Sequence, residues 1–288
     1  MPQPGSRHYL AFLIMVVVGC DAPTPESAPP SAPPAAIGVQ FDPARVGSIS
    51  GRVNWDGPIP TFPPVIAPLF LPTGVEQRPY PHPNAPGIDP ATRAVRGAVV
   101  YLDGVAPAHS KPWHHAPLRV AIREDRLAII QGSAESNVGF VHAGDDVEMV
   151  SEDAAVHVLS ARGAAFFALA FPDPDRPLRR TLDQVGLVDL SSGAGRYWHR
   201  TFLFVVDHPY YALTAADGTF ALEQVPPGQY VLKCWLPNGT VARTERDPNT
   251  GLILRYIHAA ALEWAAPVRV EAGGRVTAAP HLANRVGR

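Results

Sequence analysis

Cysteine is nearly absent from this chain: Cys20 and Cys234 are the only two in 288 residues. With Cys20 committed elsewhere, Cys234 has no partner, which excludes an internal disulfide framework. Charge is also sparse. Asp, Glu, Lys and Arg make up 17% of the chain, and the formal net charge is -2. That balance supplies no basic face for nucleic acid. No apolar run approaches the length of a membrane-spanning helix, roughly 20 residues. No long segment has a 3.6-residue period, no glycine-rich phosphate loop joins a strand to a helix, and no nucleophile elbow is present. No constellation of catalytic residues emerges, so the chain is read as not an enzyme.

Proline (33 residues) and glycine (24 residues) are abundant. Such punctuation suits many short strands joined by turns. Residues 48–54 and 146–151 alternate apolar and polar side chains, as do 155–161 and 219–223. Residues 97–103 are near-continuously apolar, 164–171 are more apolar than the alternating runs, and 199–207 follow as a further strand. Residues 117–124 and 126–131 read as a hairpin. These runs are β-branched or aromatic and bounded by Gly, Pro or Asp, so the expected fold class is all-β, built from sandwiches. Residues 62–90 hold many prolines and little alternation, and read as a long excursion over the surface. Arg246 to Gly251 read as a polar turn.

The N-terminus has a different character. Arg7 precedes an apolar run from Tyr9 to Val18, about ten residues, the size of a signal-peptide core. Residues 21–36 then repeat Pro, Ala and Ser without apolar periodicity. They read as a semi-stiff polyproline tether. Val17-Val18-Gly19-Cys20 resembles a bacterial lipobox, which implies cleavage before Cys20 and lipid attachment to it. The alternative is an ordinary cleaved signal with an incidental cysteine. The lipobox resemblance implies an exported protein anchored to the cell envelope through that lipid, with the membrane as its one expected partner.

Two further resemblances organise the folded part. Asp217-Gly-Thr-Phe-Ala-Leu-Glu-Gln-Val-Pro-Pro-Gly-Gln-Tyr-Val-Leu232 resembles the carboxypeptidase-regulatory-like module, a small transthyretin-like sandwich. Phe220, Leu222, Tyr230 and Leu232 would share its core. The middle of the chain resembles a cupredoxin, the plastocyanin-like copper fold. The resemblance rests on Val99-Val-Tyr-Leu-Asp-Gly104, on the segment from Val141 to His157, and on Trp198-His199-Arg200 with the strand that follows. The whole order is similar to exported proteins of Planctomycetes-type bacteria. The expected organisation is a signal peptide over 1–19, a tether over 20–46 and an N-terminal strand with its excursion over 47–96. A degenerate cupredoxin-like domain follows over 97–207, and a carboxypeptidase-regulatory-like domain over 208–288.

The copper pattern is incomplete. A type 1 site needs a thiolate, two imidazoles and usually a weak Met. Aligning Trp198 with the Trp of the cupredoxin loop Cys-x-x-His-Pro-Trp-Met puts Gly193 at the Cys, Arg196 at the second His and His199 at the Met. His157 keeps the position of the first His ligand. The tentative metal ligands are therefore His157 and His199, meeting on neighbouring strands and binding Cu(II) or Zn(II) weakly. The competing reading takes both as hydrogen-bonded structural histidines. No cofactor is expected, though copper is possible. His208 and Cys234 are more remote candidates. In Trp113-His114-His115, adjacent side chains on an extended segment are expected to point apart. The function read from the residues is a non-catalytic envelope binding or structural protein, and the alternative is a copper or electron-transfer protein with a rearranged site.

Overall fold

A computed structural model describes residues 41–71 and 73–284. The expected signal peptide over 1–19, Cys20 and the expected tether up to residue 40 lie outside the described residues, while the tether's last part differs from the reading: Pro43–Arg45 forms a short 3-10 turn capped by Asp42. The described chain is all-β, as its pattern of short, turn-bounded runs requires.

One sandwich is assembled from segments far apart in sequence. In its first sheet, Gly47–Arg52 lies between Thr219–Val225, antiparallel, and Arg275–Ala278, parallel. In its second, the order is Tyr211–Leu213, Val99–Asp103, Gly228–Leu236 and Leu262–Val270. Ile49, Phe220 and Leu222 from one sheet meet Val100, Leu102, Leu232 and Cys234 from the other in a dry core. The Asp217-Gly218 turn sets this register. The Asp217 carboxylate accepts from the Thr219 backbone N–H at 3.0 Å and from its hydroxyl at 2.7 Å. Gly218 has φ 79°, and a Cβ there would lie 2.7 Å from the Val53 carbonyl, so both conformation and space demand glycine.

The second sandwich is formed almost entirely by residues 118–206. One sheet runs Ala134–Ser136, Arg126–Gln131, Leu118–Arg123, Asp145–Ser151, Leu178–Leu182; the other runs Val138–His142, Arg200–Val206, Gly186–Ser192, His157–Gly163, Phe167–Phe171. Arg200–Val206 is buried on both faces. Leu203 and Val205 point into this sandwich's core, while Phe202, Phe204 and Val206 join Val99 and Trp235 in a separate apolar layer between the two sandwiches. A strand covered on both sides is expected to be continuously apolar, and this one is.

The structure departs from the sequence reading in four places. Val99–Asp103, read as an early cupredoxin strand, pairs instead with Tyr211–Leu213 and Gly228–Leu236. Its Val-Val-Tyr-Leu run is apolar on both faces, so it has no alternation from which to choose a sheet. Residues 62–90 contain a hairpin, Val65–Leu71 with Gly74–Tyr80, rather than an unpaired excursion. Most of Gly74–Tyr80 is exposed, which explains the weak alternation. Gly186–Ser192 is a paired strand that the serine- and glycine-rich stretch after it concealed. The rings of His114 and His115 lie 4.5 Å apart rather than pointing away from each other, because the segment bends there.

Candidate metal centre

The site begins at a two-residue turn. Glu124 and Asp125 join Leu118–Arg123 to Arg126–Gln131 with φ of 50° and 55°. Left-handed conformation at both positions matches the twist of a tight hairpin and costs energy without glycine. Asp153 offsets that cost, because its carboxylate accepts from the backbone N–H groups of Glu124 at 2.8 Å and Asp125 at 2.9 Å. The turn is thereby pinned at one end of the second sandwich.

Asp125 is the centre of a dense network. Its backbone carbonyl accepts from Trp198 Nε1 at 2.8 Å and lies 2.8 Å from His199 Nε2. Its Oδ1 accepts from Arg196 Nε at 2.7 Å and lies 3.3 Å from His199 Nε2. Its Oδ2 accepts from the Tyr80 hydroxyl at 2.9 Å. The Tyr80 and Trp198 rings stack at 4.9 Å, so the hairpin at 65–80 closes one side of the site. His199 precedes Arg200–Val206, and its own N–H donates to the Arg196 carbonyl at 2.9 Å. His157 opens His157–Gly163.

His157 and His199 come together, with ring centroids 5.6 Å apart and planes 20° from parallel. They do so from strands that are not neighbours, since Gly186–Ser192 lies between the two strands they precede or begin. One ligand atom from each of Asp125, His157 and His199 lies within 4.8 Å of the others. Neither Asp125 nor Tyr80 was evident in the sequence. The Glu-Asp pair between two apolar runs signals a turn, but nothing in that signal turns the second carboxylate inward.

His157 is 1% exposed. Its Nε2 is 3.1 Å from an Asp153 oxygen, yet the approach is too bent for a hydrogen bond, and neither ring nitrogen has a partner among the described residues. The distance therefore records proximity, not satisfaction, and an unpaired buried imidazole is costly. Burial, then the Arg196 charge and then His199, push its pKa down to about 4, so the ring is neutral and available as a ligand near neutral pH. Burial pushes the Asp125 carboxyl up, but hydrogen bonding to His199 and Tyr80 and the charges of His199 and Arg196 outweigh it and hold the carboxyl below its ordinary value. Tyr80 is raised to about 12 by burial and by its bond to Asp125.

Among the described residues, no thiolate reaches this centre. At Gly193 a Cβ would lie 2.6 Å from Ser160 Oγ and 2.7 Å from Val158 Cγ1, so the local packing has closed over the place where a cysteine would stand. Cys234 is 1% exposed in the core of the other sandwich, and burial raises its thiol to about 12. His208 is also buried elsewhere, with Nδ1 accepting from the Tyr210 N–H at 3.3 Å. The donors present are two imidazoles and a carboxylate. Such a set suits zinc or Cu(II) and lacks the sulfur that a blue-copper centre requires.

No protein-family model matches the chain, and no curated protein matches it. Among solved structures, it is similar to the Cu(I) form of a methionine mutant of amicyanin at 18% identity. That match covers 37% of this chain and 98% of the other, with a TM-score of 0.26. A reduced tryptophan mutant of amicyanin matches at 17% identity over the same shares, with a TM-score of 0.25. A heme-copper terminal oxidase dimer matches at 13% identity, covering 36% of this chain and 78% of the other, with a TM-score of 0.24.

Proposed function

We propose that this is a non-catalytic protein of the cell envelope, exported and held to the membrane by lipid on Cys20. In this reading its cupredoxin-like sandwich carries a sulfur-free centre, in which His157, His199 and Asp125 hold Cu(II) or Zn(II). The observation that carries the metal reading is His157, fully buried with both ring nitrogens unpartnered. A coordinated ion would satisfy one of them and would supply Lewis acidity. Electron transfer of the blue-copper kind has no support, because the donor set has no thiolate.

A second reading has its own observation. Both oxygens of Asp125 already accept hydrogen bonds, from Arg196 and Tyr80. A closed network of this kind can simply fasten the end of a sandwich, in a binding module without metal.

A copper titration of the wild type beside His157→Ala separates the two. The metal reading expects stoichiometric Cu(II) uptake by the wild type, no intense blue band, and loss of uptake in the variant. Equal uptake by both proteins would remove His157 from the site, and no uptake by either would leave the fastening network as the function of these residues. The anchor is tested apart from the metal: Cys20→Ser should release the protein from the membrane fraction or leave it unprocessed.

A further inference from the structure

We infer that Arg196 is a built-in competitor for the metal, occupying with its own charge the carboxylate that an incoming cation needs; this rests on the metal reading above. Three observations place it there. Arg196 Nε donates at 2.7 Å to Asp125 Oδ1, the carboxylate oxygen that lies 3.3 Å from His199 Nε2. Its Nη1 donates at 3.3 Å to the carbonyl of Val156, next to His157. The guanidinium thus spans from the Asp125 carboxylate to the backbone just before His157. In the aligned loop it also stands where a cupredoxin would carry its second histidine, so a ligand position holds a cation instead.

The physical consequence is a direct exchange. A metal ion and a guanidinium cannot share Asp125 Oδ1 without strong repulsion, since like charges this close in a partly buried site are poorly screened. Metal binding must therefore displace Arg196, and the displaced side chain has somewhere to go. Arg196 and His199 lie on the wall of a cleft of about 160 Å³ that also exposes Ser192, Tyr197 and Tyr256. The cleft is basic, but Arg200 there is spent on Asp189 at 2.7 Å and Arg255 on Glu245 at 2.7 Å. Arg196 is the cation whose partner is the carboxylate of the candidate centre. Its exchange makes this a weak, reversible site rather than a permanently loaded one.

The test is isothermal titration of the full mature chain with Zn(II) and, separately, Cu(II), comparing the wild type with Arg196→Met and Arg196→Lys. Methionine keeps the apolar stem and removes the charge; lysine keeps the charge. The inference expects at least a tenfold tighter binding of Zn(II) by Arg196→Met and no comparable gain by Arg196→Lys, with thermal melts checking that each variant is folded. Methionine offers a thioether to copper, so the Zn(II) arm decides the charge argument. Equal affinity in all three proteins would overturn the role of Arg196 while leaving the metal site standing. Weaker binding by a folded Arg196→Met would also overturn it, showing that Arg196 positions the ligands. No binding by any of them would sink the metal reading and the competitor together.

Discussion

The two sandwiches use one architecture in opposite ways. The sandwich built on Gly47–Arg52 and Gly228–Leu236 seals a dry core that includes even its cysteine, raised and unreactive. The sandwich of residues 118–206 has an equally apolar centre but ends in a cluster of imidazole, carboxylate, guanidinium and phenol. Polar groups are tolerated at depth only where partners are supplied. Here Asp125 is saturated with partners and His157 has none. The wholly buried imidazole of His157, with neither nitrogen partnered among the described residues, singles out the second sandwich.

The largest expected effect tests the dry core. Phe220 is 6% exposed among Ile49, Leu222 and Leu232. Phe220→Ala should cost about 3–5 kcal/mol, as large-to-small aromatic changes in cores do, without changing metal uptake. Urea denaturation checks the first part and titration the second. A loss of metal binding in a folded variant would show that the two sandwiches are not independent in this respect.

Next is the polar end. Asp125→Ala leaves Arg196 and Tyr80 without their shared acceptor. Removing one partner of such a buried pair costs about 3 kcal/mol or more, and the part-exposed Arg196 places this case at the lower end. Metal binding should disappear with it. Asp125→Asn should recover part of the stability but little of the affinity, because the amide lacks the charge. A stable Asp125→Ala protein would mean that water replaces the carboxylate readily.

A smaller effect depends on pH. The folded state holds His157 at about 4, below its unfolded value near 6.5. Above 6.5 the ring is neutral in both states and imposes no penalty. Stability is lost as pH falls from about 6.5 towards 4, because the unfolded chain takes up the proton first. His114 and His258 are likewise lowered to about 4, chiefly by burial, and add to the same window. His157→Asn should flatten the fall between pH 6.5 and 4 by about 1–2 kcal/mol, measured as urea midpoints. An unchanged slope would mean that another histidine dominates the acid sensitivity.

The smallest effect is an absence of reaction. Cys234 should resist a thiol reagent in the native protein near neutral pH and react fully in denaturant, since a buried thiol near pKa 12 has almost no thiolate. Rapid native labelling would show that the dry sandwich opens.

The turn chemistry was the most legible part of the fold. Asp217-Gly218 marked the turn into Thr219–Val225, and the two apolar runs on either side of Asp125 gave the hairpin of Leu118–Arg123 with Arg126–Gln131. Continuous apolar runs were less informative. Val99–Asp103 and Arg200–Val206 are both buried on two faces, and a strand without alternation does not say which sheet it joins. Of the candidate centre, His157 and His199 were visible through their resemblance to ligand positions. Asp125 was not, because an aspartate in a turn looks like any solvated turn residue until its partners are known.

Local sequence by itself determined that this chain would fold as short strands, that no thiolate would stand at Gly193, and that Cys234 would have no disulfide partner within the mature body if Cys20 is lipidated. Those conclusions need only residue identity, period and count. Tertiary structure decided the rest. It threaded Val99–Asp103 into the sheet of Gly228–Leu236, brought Tyr80, Asp125, His157 and His199 to one end of a sandwich, and set Arg196 on the carboxylate between them. These residues are separated by tens of positions along the chain, and only strand order and register place them within hydrogen-bonding reach.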